Sequence, residues 1–220
     1  DFRSTLTFTI DPADAKDFDD AISFKDLGNG KYEIGVHIAD VSHYLKPGTA
    51  LDEEARHRAT SIYLVDRTIP MLPEILSNEL CSLRPNEDKL TFSAVFVIDK
   101  NGKISDKWFG RTITHSAKRF TYEEVQKILD AGTGELYQEL KTVNELAEKL
   151  RKARFEDGAI AFEKDEVKFI LDGAGKPVDV YRKVRTASHL LVEDFMLLAN
   201  KEVASFVSAL VKNQSGHFVY

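Results

Sequence analysis

The stretch Thr9–Phe24, TIDPADAKDFDDAISF, joins two strand-like segments through a strongly acidic loop. Five aspartates fall within ten positions of it: Asp11, Asp14, Asp17, Asp19 and Asp20. Carboxylates this close repel one another, and the repulsion grows where neighbouring strands exclude water. A bound cation would relieve that repulsion. The stretch therefore predicts a metal site formed by several carboxylates, with a polar loop whose aspartates cap turns as the alternative.

Magnesium suits this pattern. It binds oxygen in near-octahedral geometry, commonly through one or two carboxylates, with water and substrate phosphates completing the shell. A pair of such ions ~4 Å apart needs several carboxylates from a compact piece of backbone. Pro12 bends the chain after Asp11 and can bring that residue back to the others. A calcium-binding EF-hand loop does not fit, because Ala21 takes the third ligand position counted from Asp17 and no glycine follows.

The composition is that of a globular protein, with 220 residues, 43% of them hydrophobic and 30% charged. The net charge of −6 argues mildly against a broadly basic nucleic-acid surface, although an acidic metal site would lower the total by itself. The single cysteine excludes an internal disulfide and fits a reducing cytoplasm, and no apolar run approaches the ~18 residues of a membrane span. Since the chain begins without Met and ends in the strand-like GHFVY, we expect it to be part of a longer protein.

Alternating apolar residues predict an antiparallel sheet with two hairpins. TLTFTID and DAISFK are strand-like, and Asn29-Gly30 supplies a turn between two further strand patterns. Asn101-Gly102 supplies the turn of a second hairpin, KLTFSAVFVIDKNGKISDKWFGRTIT. Three short strands, AIAFE, VKFIL and VDVYRK, are predicted later in the chain.

Helical patterns alternate with these strands. ALDEEARHRA and LPEILSNELCSL predict two short helices, and Thr121 with Glu124 has the form of a capping box. A long amphipathic helix is predicted from Leu136 to Phe155, and ASHLLVEDFMLLANKEVASFVSALV predicts a second long helix that is apolar over much of its surface. We therefore expect one α+β unit over residues 1–220, with a mixed or antiparallel sheet packed against long helices.

The acidic stretch resembles the opening signature of the ribonuclease II/ribonuclease R (RNB) family of exoribonucleases, and the general likeness is closer to ribonuclease R. The resemblance covers essentially the whole chain, continuing through GVHIADVSHYLKPG, SIYLVDRTIPMLPEILSNELCSL, AIAFEKDEVKFIL and HLLVEDFMLLANKEVA. It implies the N-terminal part of an RNB catalytic domain. The implied activity is magnesium-dependent, processive 3′-to-5′ hydrolysis of single-stranded RNA to nucleoside 5′-monophosphates.

The resemblance also implies roles for individual residues. The metal ligands would be Asp11, Asp17, Asp19 and Asp20, with Asp19 central to catalysis, whereas Asp14 takes a variable position of the signature. Two aromatic residues, Tyr63 and Phe162, match a clamp that stacks the terminal bases of RNA. Stacking tolerates any base and contributes ~1–3 kcal/mol per base. The residue pattern alone favours a place in the core for both aromatics.

Two further residues match catalytic positions of the family. Tyr122 corresponds to a tyrosine near the 3′-terminal phosphodiester, where a phenol can orient the phosphate; its alternative is an exposed residue of a first helical turn. Glu193 corresponds to an acidic residue on the central helix of the family. A carboxylate on so apolar a helix needs a partner if it is buried, which favours contact with metal or RNA. Asp194 lies beside it and points about 100° away around the helix.

Other candidate sites receive structural interpretations. The spacing of His37, Asp40 and His43 suits no standard zinc motif, and we interpret this stretch as structural. Cys81 is expected to be buried and inert.

The resemblance further implies a later part of the domain, which carries an arginine that holds the substrate phosphate, and flanking oligonucleotide-binding domains. Two alternative functions stay open: an inactive RNA-binding paralogue and a metal-binding structural module.

Overall fold

The structure, a computed structural model, describes residues 1–160, 167–182 and 184–211. Six strands form its main sheet: β1 (Leu6–Asp11), β2 (Asp20–Gly28), β3 (Lys31–Ala39), β6 (Asp88–Asp99), β7 (Ile104–His115) and β8 (Lys118–Thr121). Their order is β7-β6-β3-β2-β1-β8. All neighbours are antiparallel except β8, which pairs parallel to β1. The fold is α+β with a mixed sheet, as the sequence predicts.

Both hairpins form where the Asn-Gly pairs predict them. The first joins β2 to β3, and its turn places Asn29 and Gly30 at φ values of 53° and 69°. The second joins β6 to β7, with Gly102 at φ 84°. These left-handed conformations are readily adopted by Gly and Asn, and they match the turn to the twist of the strands.

The remaining elements flank this sheet. The helices are α1 (Val41–Tyr44), α2 (Ala50–Arg58), α3 (Tyr122–Ala131), α4 (Tyr137–Glu156) and α5 (Ala187–Leu210), with a π-helix at Ile75–Leu80. Two small antiparallel pairs stand apart, β4 (Ile62–Tyr63) with β5 (Thr68–Ile69) and β9 (Val167–Leu171) with β10 (Pro177–Arg182). Among the described helices, none has the length and apolarity needed to cross a bilayer.

The hydrophobic core lies between one face of the sheet and α3, α4 and α5. Phe8, Phe96 and Phe120 from the sheet are almost fully buried there, together with Leu140 of α4 and Phe195 of α5. The capping box of α3 forms as predicted: Thr121 Oγ1 accepts from the Glu124 N–H at 3.1 Å, and Glu124 Oε2 accepts from the Thr121 N–H at 2.7 Å.

Part of the other face of the sheet is polar and buried. His37 is fully buried, and its ring nitrogens lie 2.6 Å from Ser93 Oγ and 2.8 Å from Ser23 Oγ. Burial lowers the pKa of His37 to about 4, so the imidazole is neutral at pH 7. Asp40 caps α1 by accepting from the His43 N–H at 3.1 Å. His37 and Asp40 therefore make hydrogen bonds within the fold, as the structural interpretation expects.

Two helix predictions need correction, and one strand prediction lies mostly outside the described residues. LPEILSNELCSL forms a six-residue π-helix, in which the Cys81 N–H bonds to the Leu76 carbonyl at 2.8 Å, five residues back. Helix α5 is central only in its first half, since Phe206 and Leu210 are 43% and 63% exposed. The predicted strand AIAFE extends into residues 161–166, outside the described residues, and Ile160 itself is not in a strand.

Candidate active site

Two strands end and a third begins at the same end of the sheet. Asp11 ends β1 and pairs with Thr121 at the end of the parallel strand β8. Asp20 begins β2, which runs antiparallel to β1, so it returns to the same end. Thr121 caps α3, which starts at Tyr122. The topology therefore brings two of the predicted metal ligands and the predicted catalytic tyrosine together.

Asp11 is the least exposed of the five aspartates of the stretch, with 7% of its surface exposed. Burial raises its pKa to about 6; the Thr9 hydroxyl and the Arg119 guanidinium beside it oppose that shift, whereas Asp17 and Asp19 add to it. The carboxyls of the loop thus lie close enough to Asp11 to disfavour its charge.

The other aspartates are coupled in the same way. Burial, then Asp11 and Asp19, raises the pKa of Asp20 to about 7. Asp19 is exposed as a residue, yet the protein around its carboxyl raises that pKa, and Asp17 raises it further. Asp14 is exposed and is not among the groups that shift these pKa values. Electrostatic coupling therefore links Asp11, Asp17, Asp19 and Asp20, and Asp14 does not take part in it.

The donor set fits a hard divalent cation by its chemistry. Among the described residues, Asp11 Oδ2 and Thr9 Oγ1 are buried and make no hydrogen bond of standard geometry, although the Thr9 hydroxyl lies close enough to lower the pKa of Asp11. An unpaired buried carboxylate oxygen is costly, and a cation would satisfy it. In the part of the chain that the structure describes, no three Asp, Glu, His or Cys side chains converge tightly enough to hold a metal alone. The arrangement matches an ion bound by one or two carboxylates, with water and phosphate completing its shell.

Tyr122 is the first residue of α3 and is half-buried, so its alternative as an exposed helix residue is wrong. Burial raises its pKa to about 12, and Asp20 and Asp11 contribute. The phenol therefore keeps its proton at pH 7 and can donate a hydrogen bond to an anionic oxygen. Its ring stacks on that of His189, at 4.0 Å between centroids.

A cleft of about 780 Å³ opens beside Tyr122. Its lining includes the rings of Tyr63, His189, Phe169 and Tyr181. Tyr63 lies in β4 with 72% of its surface exposed, so the prediction that it belongs to the core is wrong. Phe162, its predicted partner in the clamp, lies outside the described residues.

Helix α5 presents its two adjacent carboxylates differently. Glu193 is 43% exposed at its side chain and forms an ion pair with Arg185. Asp194 is 1% exposed, and its two oxygens accept from Arg151 Nε and Arg154 Nη2 of α4, both at 2.9 Å. The buried carboxylate of α5 is therefore Asp194, and the role of Glu193 in catalysis stays a prediction.

Sequence reasoning missed two side chains beside the acidic loop. Arg119 of β8 donates from Nη2 to the carbonyls of Pro12 at 2.5 Å and Ala13 at 3.2 Å, and its guanidinium lies 5.3 Å from the Phe18 ring. His189 belongs to the stacked pair with Tyr122. Both side chains contact residues far away in sequence, so no local pattern predicts these contacts. The only sequence signal was that Arg119 is a basic residue three positions before Tyr122.

Comparison with known proteins extends over nearly the whole chain. The family model of the RNB domain matches residues 1–216. Ribonuclease R of Thermotoga maritima is 48% identical over 93% of this chain and 30% of its own length. DIS3-like exonuclease 2 of Schizosaccharomyces pombe is 44% identical over 98% of this chain and 25% of its own length. A relative from Arabidopsis thaliana, 38% identical over 98% of this chain and 22% of its own length, is named an inactive exonuclease.

The fold has a close counterpart among solved structures. Mycoplasma genitalium RNase R, solved in complex with ribose-methylated single-stranded RNA, superposes with a TM-score of 0.88 at 30% identity. The match covers 96% of this chain and 33% of that protein. The chain thus spans about a quarter to a third of the length of these relatives. On its sequence, its fold and the residues gathered at that end of the sheet, this chain belongs to the RNB-domain family.

Proposed function

We propose that this chain is the N-terminal part of the catalytic domain of a magnesium-dependent 3′-to-5′ exoribonuclease, and we call the longer protein of which it would be a part the parent protein. One observation carries the proposal. In a chain of the RNB-domain family, the mutually repelling carboxylates of Asp11 and Asp20 lie close enough to Tyr122 to raise its pKa, and this protonated tyrosine lines an open, aromatic-lined cleft together with Asp14.

The aspartates would hold the metal. When bound, magnesium supplies positive charge that stabilises the negative charge developing on the scissile phosphate. Asp11 and Asp20 would bind it in their ionised forms, because a ligating carboxylate must be ionised. Tyr122 would donate a hydrogen bond from its phenol to a phosphate oxygen and so hold the phosphodiester in line. Glu193 would contribute from α5, on the ground of its sequence position.

The cleft would receive the 3′ end of single-stranded RNA. Tyr63 offers an exposed ring on its wall, and Phe162 would be the second aromatic residue of the clamp on the ground of its sequence position. Rings read no base edge, which suits a nuclease that degrades any sequence processively to nucleoside 5′-monophosphates. RNase R of Mycoplasma genitalium was solved with single-stranded RNA, which supports an RNA substrate.

The lengths of the relatives and the cysteine content support a proposal for the setting of the protein. Its relatives are three to four times as long as this chain, which leaves room for the flanking oligonucleotide-binding domains that the resemblance implies. A single reduced cysteine favours the cytoplasm. Burial raises the pKa of the Cys81 thiol, which fits an inert side chain.

A time course of the parent protein on end-labelled poly(A) tests the proposal. We expect nucleoside monophosphates to appear from the 3′ end with magnesium and no cleavage after chelation. The Asp19→Asn variant should be inactive under both conditions. Cleavage that survives chelation, or internal cleavage, would contradict the proposal.

An inactive RNA-binding paralogue is the second candidate, because a relative at 38% identity is named an inactive exonuclease. All four predicted metal ligands are present in this chain, which favours activity. RNA binding without any product in the same time course would establish the paralogue instead.

A further inference from the structure

Asp17 lies in the middle of the loop that joins β1 to β2, and a single hydroxyl holds the backbone on both sides of it. Ser82 Oγ donates to the carbonyl of Lys16 at 2.9 Å and accepts from the N–H of Phe18 at 3.0 Å. The next residue adds a third contact, since the Leu83 N–H donates to the Phe18 carbonyl at 2.8 Å. The peptide groups that flank Asp17 are therefore bonded to a segment more than sixty residues away.

Ser82 is well placed to resist movement of this loop. It has no exposed surface, and its neighbours Cys81 and Leu83 are 4% and 1% exposed. These neighbours pack with Ala21 and Leu76 in a small second core beneath the loop. A hydroxyl can act as donor and acceptor at once, so one rigid side chain satisfies two backbone groups. Removing it would leave both groups without that partner.

The loop needs such a restraint because its carboxylates repel one another. Asp17 lies two positions before Asp19 and three before Asp20, so without a restraint the repulsion between these charges would move Asp17 away. A metal site binds well only if its ligands are held near the final geometry before the ion arrives. Arg119 fixes the start of the loop through the carbonyls of Pro12 and Ala13, and Ser82 fixes the backbone at the ligand itself.

We propose that Ser82 is a positioning residue of the metal site, which holds Asp17 in place through the backbone of Lys16 and Phe18. This proposal rests on the proposed function, because it takes Asp17 as a metal ligand. Ser82 is not a catalytic residue, since its hydroxyl is used by the backbone and faces neither the cleft nor the carboxylates in any contact of the described residues.

The test measures metal affinity directly. Calorimetric titration of the parent protein with Mn²⁺ should show that Ser82→Ala weakens binding about tenfold, the lower end of what loss of an outer-sphere partner typically costs. The manganese concentration for half-maximal poly(A) hydrolysis should rise in parallel, with the rate at saturating metal close to that of the wild type. Asp17→Asn, as the positive control, should weaken binding at least as much.

A matched control separates this role from loss of a buried hydroxyl in general. Ser116 is 4% exposed, and its Oγ donates to the Lys118 carbonyl at 3.2 Å, away from the acidic loop. Ser116→Ala should leave manganese affinity unchanged. If Ser82→Ala does not fold, Ser82→Cys carries the test, because it keeps the volume with a weaker hydrogen-bonding group and should bind manganese more weakly than the wild type.

Amide hydrogen exchange supplies a readout that does not depend on activity. In the metal-free protein, the amides of Phe18 and Leu83 should exchange faster in Ser82→Ala than in Ser116→Ala. Unchanged manganese affinity in a folded Ser82 variant, with Asp17→Asn weakened, would overturn the proposal while leaving the proposed function intact. A parent protein that binds manganese but degrades no RNA would overturn the proposed function, and the affinity comparison would still decide the role of Ser82. A parent protein that binds no divalent ion would overturn both.

Discussion

The imidazole of His189 stacks on the phenol ring of Tyr122, with centroids 4.0 Å apart and ring planes 9° from parallel. The imidazole is oriented in turn by Thr186 Oγ1, which lies 2.7 Å from His189 Nδ1. Tyr122 begins α3, and His189 lies in the first turn of α5. The stacked pair therefore joins the starts of two helices at the wall of the cleft and fixes the plane of the tyrosine ring.

The first prediction follows from this contact. Replacing His189 with Ala removes the surface against which Tyr122 stacks, and an aromatic pair contributes ~0.5–1.5 kcal/mol beyond its buried area. We expect kcat on poly(A) to fall roughly twofold to tenfold, with the metal concentration for half-maximal activity unchanged. His189→Phe keeps a ring and should restore most of the rate. Equal kcat for His189→Ala and the wild type would mean that the stacking does not orient Tyr122.

The second prediction concerns Asp19. An asparagine there keeps the shape of the side chain but replaces an anionic ligand by a neutral one, so hydrolysis should be nearly abolished while RNA binding persists. Retention of more than about a tenth of the wild-type turnover, or ~1.4 kcal/mol in the barrier, would count against its role. Asp14→Asn is the matched variant, because Asp14 is an exposed aspartate of the same loop; it should lose far less activity.

The third prediction concerns pH. The carboxyls of Asp11 and Asp20 have pKa values of about 6 and about 7 in the fold, raised from 3.8. At pH values between the unfolded pKa of 3.8 and these folded values, the folded state binds more protons than the unfolded state. The free energy of unfolding that these two groups contribute therefore falls as pH rises from about 4 to about 7. Denaturant titrations with chelator present should show this decline.

The same carboxyls supply the control for the pH measurement. A divalent ion binds their ionised forms, so saturating magnesium should remove the decline or reverse it. Asp20→Asn cannot ionise, so its chelated profile should decline less between about pH 4 and about 7 and should be flat above about pH 6, where Asp11 is ionised. An unaltered profile in this variant would show that other groups set the pH dependence.

The fourth prediction separates the two carboxylates of α5. Asp194→Ala leaves the guanidinium groups of Arg151 and Arg154 without their buried anion, which should lower the free energy of unfolding by about 3 kcal/mol. Glu193→Gln alters an exposed ion pair and should change the free energy of unfolding by less than about 0.5 kcal/mol. Urea denaturation measures both. If Glu193 acts in catalysis, its variant should lose activity without losing stability.

Local sequence signals predicted most of the fold. The Asn-Gly turns fixed both hairpins, because only a few residues accept their backbone angles, and the capping box marked the start of α3. The parallel pairing of β8 with β1 was not predicted, although it places Tyr122 beside Asp11. A four-residue strand carries too little periodicity to be recognised, and its partner lies more than a hundred residues away.

The site divides in the same way. The aspartates were visible because they lie together in sequence. The residues that contact the loop or Tyr122 from distant segments of the chain, Ser82, Arg119 and His189, could not be recognised in the same way. Tyr63 shows the limit of composition as a guide, since aromatic residues in strands are usually buried and this one is 72% exposed.

That exposure is the basis of the fifth prediction. The ring of Tyr63 lies on the cleft wall with little protein around it. Its removal should therefore change the stability of the fold little and weaken RNA binding much more. We expect the free energy of unfolding of Tyr63→Ala to lie within about 0.5 kcal/mol of the wild-type value, as is usual for surface substitutions. Loss of one stacked base should weaken the hold on a short 3′ end by ~1–3 kcal/mol. Degradation would then stop on longer end products, because a short RNA has few other contacts to keep it in the channel.

The end-product ladder of labelled poly(A) on a sequencing gel measures this directly. Tyr63→Phe keeps the ring and should leave the ladder of the wild type, whereas Tyr63→Ala should shift it upward by one or more nucleotides. Ile62→Ala is the control for local disturbance, since Ile62 is exposed in the same short strand. An identical ladder for Tyr63→Ala and the wild type would exclude Tyr63 from the clamp, and a shift in Ile62→Ala of equal size would assign the effect to the strand instead of the ring.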